Sequence, residues 1–261
     1  MLVKQDEKSE TIPTNLRLLM VMEEMARIGV PATPTAINQV LGLPKPTIHR
    51  LFATLEDEGF LQRELDGRSY SPGRRMRHLA TGILSSLRVR TARLAVIGAL
   101  AEEIGETCNL AIPDREAMIY LDRVETKWPL RFQLPIGSHV PFYCTASGKM
   151  YLSTLNESHL KRYVGSAKLE SRGPKTITDR QALLDEVARI RVDGYARDNE
   201  EFLEGMVALA VPVNETHGRM LSTLSFHAPT QRMTIETATR HLPRLRAAAA
   251  ELSKLVSEDL P

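Results

Sequence analysis

The sequence predicts an α+β protein of two domains. Three observations carry this: 261 residues exceed one minimal domain; the first third reads as three short helices and a hairpin; and the remainder groups its strands and helices in runs rather than in strict alternation. With 43% hydrophobic and 25% charged residues, the chain can bury a core and does not have a disordered composition.

Residues 1–12 read as a flexible tail, and "MLVKQDEKSE" lacks the apolar stretch of a signal peptide. No apolar run approaches the roughly 20 residues that span a bilayer, so a cytoplasmic chain without membrane contact is expected. Over 14–29, Leu16, Leu19, Met22 and Ala26 form an apolar side for a first helix closed by Gly29. Thr33 before Pro34 is an N-cap with proline at the first helical position, and Ile37, Val40 and Leu41 supply the face of a second helix that ends at Gly42. Pro46 fits the first turn of a third helix, where its missing N–H is no loss. Ile48, Leu51, Phe52 and Leu55 then face inward, and the helix stops near Gly59.

Phe60–Arg63 and Arg68–Tyr70 read as strands joined across Asp66-Gly67, a strong hairpin signal. Three helices and a basic hairpin over residues 13–72 are the layout of a winged helix-turn-helix, which lays its third helix in the major groove of double-stranded DNA. Lys45, Thr47, His49 and Arg50 are the candidates for groove and phosphate contacts, and Arg63, Arg68, Arg74 and Arg75 for phosphate neutralisation. The net charge is only +2, but basic residues outnumber acidic ones between Lys45 and Arg90. A packed subdomain with solvated charges is the plainer reading of any single residue here. The ordered conjunction of turn, helix start, polar front and basic hairpin selects DNA binding.

The segment "LGLPKPTIHRLFATLEDEGF" is similar to the recognition segment of the isocitrate lyase regulator (IclR) family of bacterial transcription factors, and "GRRMRHLATGILSSLRVR", residues 73–90, resembles that family's linking helix. The resemblance covers nearly the whole chain. It implies a ligand-responsive regulator of genes for organic-acid or aromatic-acid catabolism, with a GAF-like α/β sensor domain over residues 91–261. It also implies homodimers through heads and linking helices, and homotetramers through sensor domains. Repressors and activators both occur among such proteins, so the sign of regulation is not legible.

In the C-terminal part, 107–112 and 117–124 read as strands around a Pro-Asp-Arg turn, and a further strand is expected over Leu130–Leu134. Helical patterns follow at 147–155, 157–164 and 179–193. "MVALAVPV" and "RMLSTLSFHAP" read as strands around a Glu-Thr-His-Gly turn, and a last helix is expected over 234–257. The polar stretch 165–178 is the expected mobile loop.

"VPFYCTASGKMYL" places small residues at a helix start, where unpaired amides and the helix dipole can hold a carboxylate. An ordinary capped helix is an equally good reading of those residues alone. The resemblance makes this stretch a wall of the effector pocket, with Ala146 and Ser147 as backbone contacts, Asp198 as an acidic pocket residue, and Ala208, Ser225 and His227 as further lining. Positions 208 and 227, often cysteine and serine in members that take small acids, are alanine and histidine here. His227 can add a cation, a donor or a ring to stack on, or serve structure alone.

The alternative is a small-molecule enzyme with a basic winged protein-interaction domain, since Ser147, His227 and Asp198 are the residue types of a nucleophilic triad. GxSxG and the phosphate-loop motif are both absent, so no enzyme is expected. Cys108 and Cys144 lack CxxC spacing and read as buried small residues. Together with the scattered His139, His159, His217 and His227 they suggest neither metal nor cofactor.

Overall fold

In the structure, a computed structural model, residues 12–84, 87–115, 117–216 and 218–257 are described. All but Ile12 of the expected tail lies outside them. The chain forms two compact units, Met1–Leu84 and Ser85–Pro261.

The first unit holds α1 (Arg17–Ile28), α2 (Pro34–Leu41), α3 (Lys45–Asp57), a hairpin of β1 (Leu61–Arg63) and β2 (Tyr70–Pro72), and α4 (Arg74–Leu84). Thr33 Oγ1 caps α2 by accepting from the Ala36 N–H at 3.2 Å, as its position before Pro34 predicts. Val21, Met25, Ile37, Ile48, Phe52, Leu55, Leu61 and Tyr70 make one core. Each such side chain removed from water contributes about 1.5–3 kcal/mol.

The second strand of the hairpin is Tyr70–Pro72 rather than the expected Arg68–Tyr70, because Asp66 ties the Arg68 and Ser69 amides into the turn. Two faces also differ from expectation. Leu16 and Leu19 of the expected α1 stripe are 44% and 50% exposed, and the buried row runs through Leu18, Val21, Met22 and Met25 instead. The segment is apolar around much of its circumference, so periodicity alone does not choose the row; packing against α2 and α3 does. Val40 of α2 is likewise exposed, while Ile37 enters the core and Leu41 packs at its edge.

The expected linking helix, 73–90, is α4 followed by undescribed residues 85 and 86, and helical structure resumes at Leu87. It continues as α5 (Leu87–Ile104), longer than foreseen. The second unit is a six-stranded antiparallel sheet in the order β5-β4-β3-β8-β7-β6. Its strands are β3 (Thr107–Asp114), β4 (Ala117–Val124), β5 (His139–Pro141), β6 (Ala196–Asn199), β7 (Met206–Asn214) and β8 (Met220–Pro229). α5 and α10 (Leu242–Ser257) pack on one face. On the other lie α6 (Ala146–Thr154) and, behind it, α8 (Arg180–Asp193), with α7 (Glu157–Ser166) against α8.

The expected strand over Leu130–Leu134 does not form. Phe132 and Leu134 still pack on the core, but carbonyls of the segment are met by arginines instead of a ladder. Arg123 Nη2 donates to the Phe132 carbonyl at 2.5 Å and Arg232 Nη1 to the Leu130 carbonyl at 2.9 Å. The last helix is also interrupted: a short α9 (Ile235–Ala238) and a 3-10 turn (Thr239–His241) precede α10, whose second residue, Pro243, has no N–H to continue a helix from upstream.

The stretch 165–178 is pinned rather than free. The Glu170 carbonyl accepts from Tyr143 Oη at 2.8 Å, and a Cβ on Gly173 would lie 2.2 Å from the Glu200 carbonyl oxygen. Only glycine permits that approach. Cys108 and Cys144 are buried and free, as expected, and burial pushes the Cys144 thiol up to about 12.

Candidate functional site

α3 presents Lys45, His49 and Arg50 to solvent, with Thr47 half-buried beside them, because Ile48, Phe52 and Leu55 take the inward positions of the same turns. Among the described residues, Lys45, His49, Arg50, Arg68 and Arg74 make no side-chain hydrogen bond or ion pair. The other two candidate arginines are engaged. Arg63 donates to both carboxylate oxygens of Glu56 at 3.0 and 2.7 Å and lies 4.8 Å from the centre of the Tyr70 ring. Arg75 pairs with Glu58 at 2.5 Å and covers the Phe60 ring. These pairs fasten the hairpin and α4 to the end of α3.

The hairpin tip is built around Asp66, which accepts from the amides of Arg68 and Ser69 at 2.8 Å each and from Ser69 Oγ at 2.5 Å. The Ser69 hydroxyl and the two amides hold the Asp66 carboxyl down at about 2, so it stays ionised as the acceptor of this turn at ordinary pH. Arg68 is thereby carried outward on a rigid turn.

In the second unit, Ala146, Ser147, Asp198, Ala208, Ser225 and His227 all line one cavity, joined by Tyr120, Thr145, Phe202 and Met206. Register explains the assembly. Asp198 pairs with Ala208 and Ala208 with His227, so the three form one row across β6, β7 and β8. Ser225 lies two residues along β8 on the same face. The start of α6 closes the cavity from above. Gly148 lets α6 pack against the segment that leads into it: a Cβ there would lie 2.3 Å from the Phe142 Cα. Thr145 caps the helix through the Gly148 N–H at 3.0 Å. The amides of Ala146 and Ser147 are first-turn donors with no carbonyl one turn back to meet them. The cavity between the walls is narrow, about 10 Å³, room for about one water molecule, so a larger occupant requires the walls to move apart.

The polar groups here are deeply buried. Asp198 Oδ1 accepts from the amides of Glu201 and Phe202 at 2.8 and 3.3 Å, while Oδ2 has no partner. Burial, aided by the Glu201 charge and opposed by Lys149, pushes the Asp198 carboxyl up to about 7. Ser147 Oγ donates to Ser225 Oγ at 3.2 Å. His227 Nδ1 meets Asn109 Nδ2 at 3.1 Å, and Nε2 has no hydrogen-bond partner among the described residues. Burial and the nearby Arg123 guanidinium depress the His227 imidazole to about 3, against the Phe132 carbonyl and Glu125. Both effects favour the neutral ring over the cation that is one option at His227.

No triad forms. Ser147 bonds to Ser225 rather than to His227, and Asp198 is separated from the imidazole by the intervening strand β7. Among the described residues no cluster of three or more histidine, cysteine or acidic side chains could hold a metal ion; His217 lies outside them.

The sequence reading missed Lys149, Glu201, Asn109 and Arg123. Lys149 is fully buried and pairs with Glu201 at 2.5 Å and Glu186 at 3.3 Å, behind Asp198. The acidic run Asp198-Asn199-Glu200-Glu201 was its visible signal. Asn109 shares parity with Thr107 on β3, opposite Ser225 and His227, which marks the cavity face once the β3–β8 pairing is known.

Comparison with known proteins matches residues 16–65 to the IclR helix-turn-helix domain and residues 81–254 to the bacterial transcriptional regulator IclR C-terminal domain. The chain is 38% identical over 243 residues to the "Probable transcriptional regulator SauR" of Cupriavidus necator, covering 93% of this chain and 96% of that one. It is similar to the crystal structure of the Thermotoga maritima IclR, with 26% identity, TM-score 0.61, and 92% and 97% of the two chains covered. An IclR homologue of Microbacterium hydrocarbonoxydans complexed with 4-hydroxybenzoate has the same fold, with 23% identity, TM-score 0.60, and 92% and 98% covered.

Proposed function

The chain belongs to the IclR family of bacterial transcriptional regulators, and on that premise we propose that its C-terminal cavity binds a small carboxylate whose occupancy controls how the N-terminal head holds operator DNA. The family and its relatives are regulators rather than enzymes. The observation that carries the proposal is the convergence of six residues from α6, β6, β7 and β8 on one buried cavity at a helix N-terminus. Two of them end in polar atoms with no partner, Asp198 Oδ2 and His227 Nε2. Buried polar atoms left over by the fold mark where a ligand's own groups would sit. Amides of Ala146 and Ser147 would hold the carboxylate, and Phe202 and Met206 its apolar part.

In the head, Lys45, Thr47, His49 and Arg50 would reach into the major groove, with Arg68 and Arg74 on phosphates. Arg63 and Arg75 would contribute field and position while keeping their carboxylates. One head reads too few bases for a unique address, so a homodimer on half-sites about 34 Å apart is required. Uncovered leucines support self-association: Leu16 just before α1, Leu19 on α1, and Leu79 on α4. Further pairing to a homotetramer through the sensor domains would follow the family. Among the described residues no helix is long and apolar enough to cross a membrane. Access to operator DNA would place the chain in the cytoplasm, and the regulated genes would be those that break down organic or aromatic acids.

A ligand shifts DNA affinity only by its differential affinity for the two arrangements of the protein. The test is a thermal-shift screen of short aliphatic acids and of 4-hydroxybenzoate against their amides. Acids that raise the melting temperature and lose their effect in Ser147→Trp, which fills the cavity, support the proposal. A screen in which acids and amides act alike contradicts it.

A further inference from the structure

A chain of three side chains runs behind the cavity wall. Arg123 Nη1 donates to Asn109 Oδ1 at 3.0 Å, and Asn109 Nδ2 meets His227 Nδ1 at 3.1 Å. All three residues are at least nine-tenths buried. Asn109 pairs with Arg123 on one side and with Ser225 on the other, so it links the two neighbouring strands on the cavity face of the sheet. Arg123 reaches that face because β4 is irregular opposite Leu110 and Ala111. Leu110 pairs with Asp122 but Ala111 with Tyr120, so Leu121 is an extra residue. The bulge lets Tyr120 and Arg123 point the same way despite odd spacing. Asp122 meanwhile turns to α5, where Arg90 and Arg93 meet it at 3.2 and 2.7 Å.

The chemistry of the chain has one direction. A guanidinium can only donate, so the Asn109 oxygen must face Arg123; turning the amide over would set NH₂ against N–H. The Asn109 nitrogen, also donor only, then faces His227 Nδ1, which must accept. In a neutral ring the proton is therefore on Nε2. Burial and the Arg123 charge keep the ring neutral, as described above. Nε2 is the ring atom without a hydrogen-bond partner among the described residues, on a residue that lines the cavity, with the Phe132 carbonyl as the acceptor near the ring that a ligand's oxygen would have to outcompete.

We propose that Arg123 and Asn109, which do not themselves line the cavity, are positioning residues that fix His227 as an Nε2–H donor toward a bound carboxylate. The inference rests on the reading of this cavity as the effector site. It makes the sheet wall a donor facing the donors of the α6 N-terminus, so an oxyanion is met from both sides. A ligand that presents N–H at that point meets donor against donor and is rejected. Specificity thus resides partly in two residues that touch no ligand.

The test places the proton directly. Two-bond ¹H–¹⁵N correlation spectra of ¹⁵N-histidine-labelled full-length protein distinguish the two tautomers and the cation. The expected result is a neutral His227 with its proton on Nε2 from about pH 5.5 to 8. Asn109→Asp can only accept from the ring, so it moves the proton to Nδ1. Arg123→Met lets the amide turn and mixes the tautomers, while Arg123→Lys, which still donates, preserves the wild-type state. A merely structural role would change stability in these variants without moving the proton. Acetate, the smallest organic probe, shifts the wild-type Nε2 resonance and binds Asn109→Asp about ten-fold or more weaker, the worth of one hydrogen bond to a charged group.

Wild-type protein with its proton on Nδ1, or a charged ring in that pH range, overturns the relay, and this reading stands even where a variant fails to fold. An unmoved proton in both Asn109→Asp and Arg123→Met also overturns it. A proton on Nε2 that acetate leaves unshifted contradicts the carboxylate site and the recognition half of the inference. The two failures are thereby distinguishable.

Discussion

Asp198 and His227 stand in one row of the sheet with only Ala208 between them, and each ends in a buried polar atom, Oδ2 and Nε2, that has no hydrogen-bond partner among the described residues. The side chain between them is a single methyl. Two strand spacings, about 10 Å, separate the backbones, a span that a short acid with a second oxygen can bridge.

The Asp198 carboxyl, raised from 3.8 to about 7, sets a pH dependence of stability. The folded chain holds a proton there that the unfolded chain has released. This contribution is fully present below about pH 3.8 and is lost as pH rises through about 7. Asp198→Asn keeps the Oδ1 acceptor and removes the titration. Urea unfolding of both proteins is expected to show the variant gaining on wild type by up to about 1.4 kcal/mol per pH unit between roughly pH 5 and 7, then holding level. A difference that does not change with pH would contradict the assignment.

Arg50 is exposed on α3 without a partner, whereas Arg74 stands at the start of α4. Arg50→Ala should weaken binding to the specific operator by about 1–3 kcal/mol and relax its sequence preference. Arg74→Ala should weaken specific and scrambled DNA alike and reduce the salt slope by about 1. Anisotropy titrations at several salt concentrations separate the two patterns; identical patterns would refute the division of roles.

Gly148→Ala brings a Cβ to 2.3 Å from the Phe142 backbone, which must shift along with the cavity roof. A loss of about 1–3 kcal/mol is expected. Gly98, inside α5, meets nothing within 4 Å, and Gly98→Ala should stabilise by about 0.4–1 kcal/mol. Denaturant midpoints check both signs.

Asp122 is wholly buried beneath Arg90 and Arg93. Asp122→Ala removes the carboxylate that both guanidiniums meet and should cost about 3 kcal/mol or more. Arg90→Ala, whose partner keeps Arg93, should cost under about 1 kcal/mol, because the Arg90 side chain is 41% exposed. Equal losses would show that the pair acts differently from this account.

The head was legible because its signals are local. Thr33-Pro34 and Pro46 each specify a backbone geometry within a few residues and stand where expected, and Asp66-Gly67 turns the hairpin, but within a six-residue loop that starts the second strand at Tyr70. The α1 row was not, because Leu16 and Leu19 are as apolar as Leu18 and Val21 and only tertiary contacts decide between them. The strand expected over Leu130–Leu134 failed for a similar reason: arginines 123 and 232, distant in sequence, satisfy its carbonyls. All six expected cavity residues do meet in one place, yet Asn109 and Arg123 escaped notice. Their role depends on which strands pair and on a one-residue bulge, neither of which leaves a mark in composition or periodicity.

The account is tested most directly by fluorescence anisotropy of the full chain on duplex DNA from upstream of its own reading frame, against scrambled competitor, with and without an acid that raises its melting temperature. It predicts tight binding that scrambled DNA does not displace, a steep fall with salt, and an affinity that the acid shifts in wild type but not in the cavity-filling Ser147→Trp. Sequence-specific binding that no cavity-bound acid alters in either direction would contradict it.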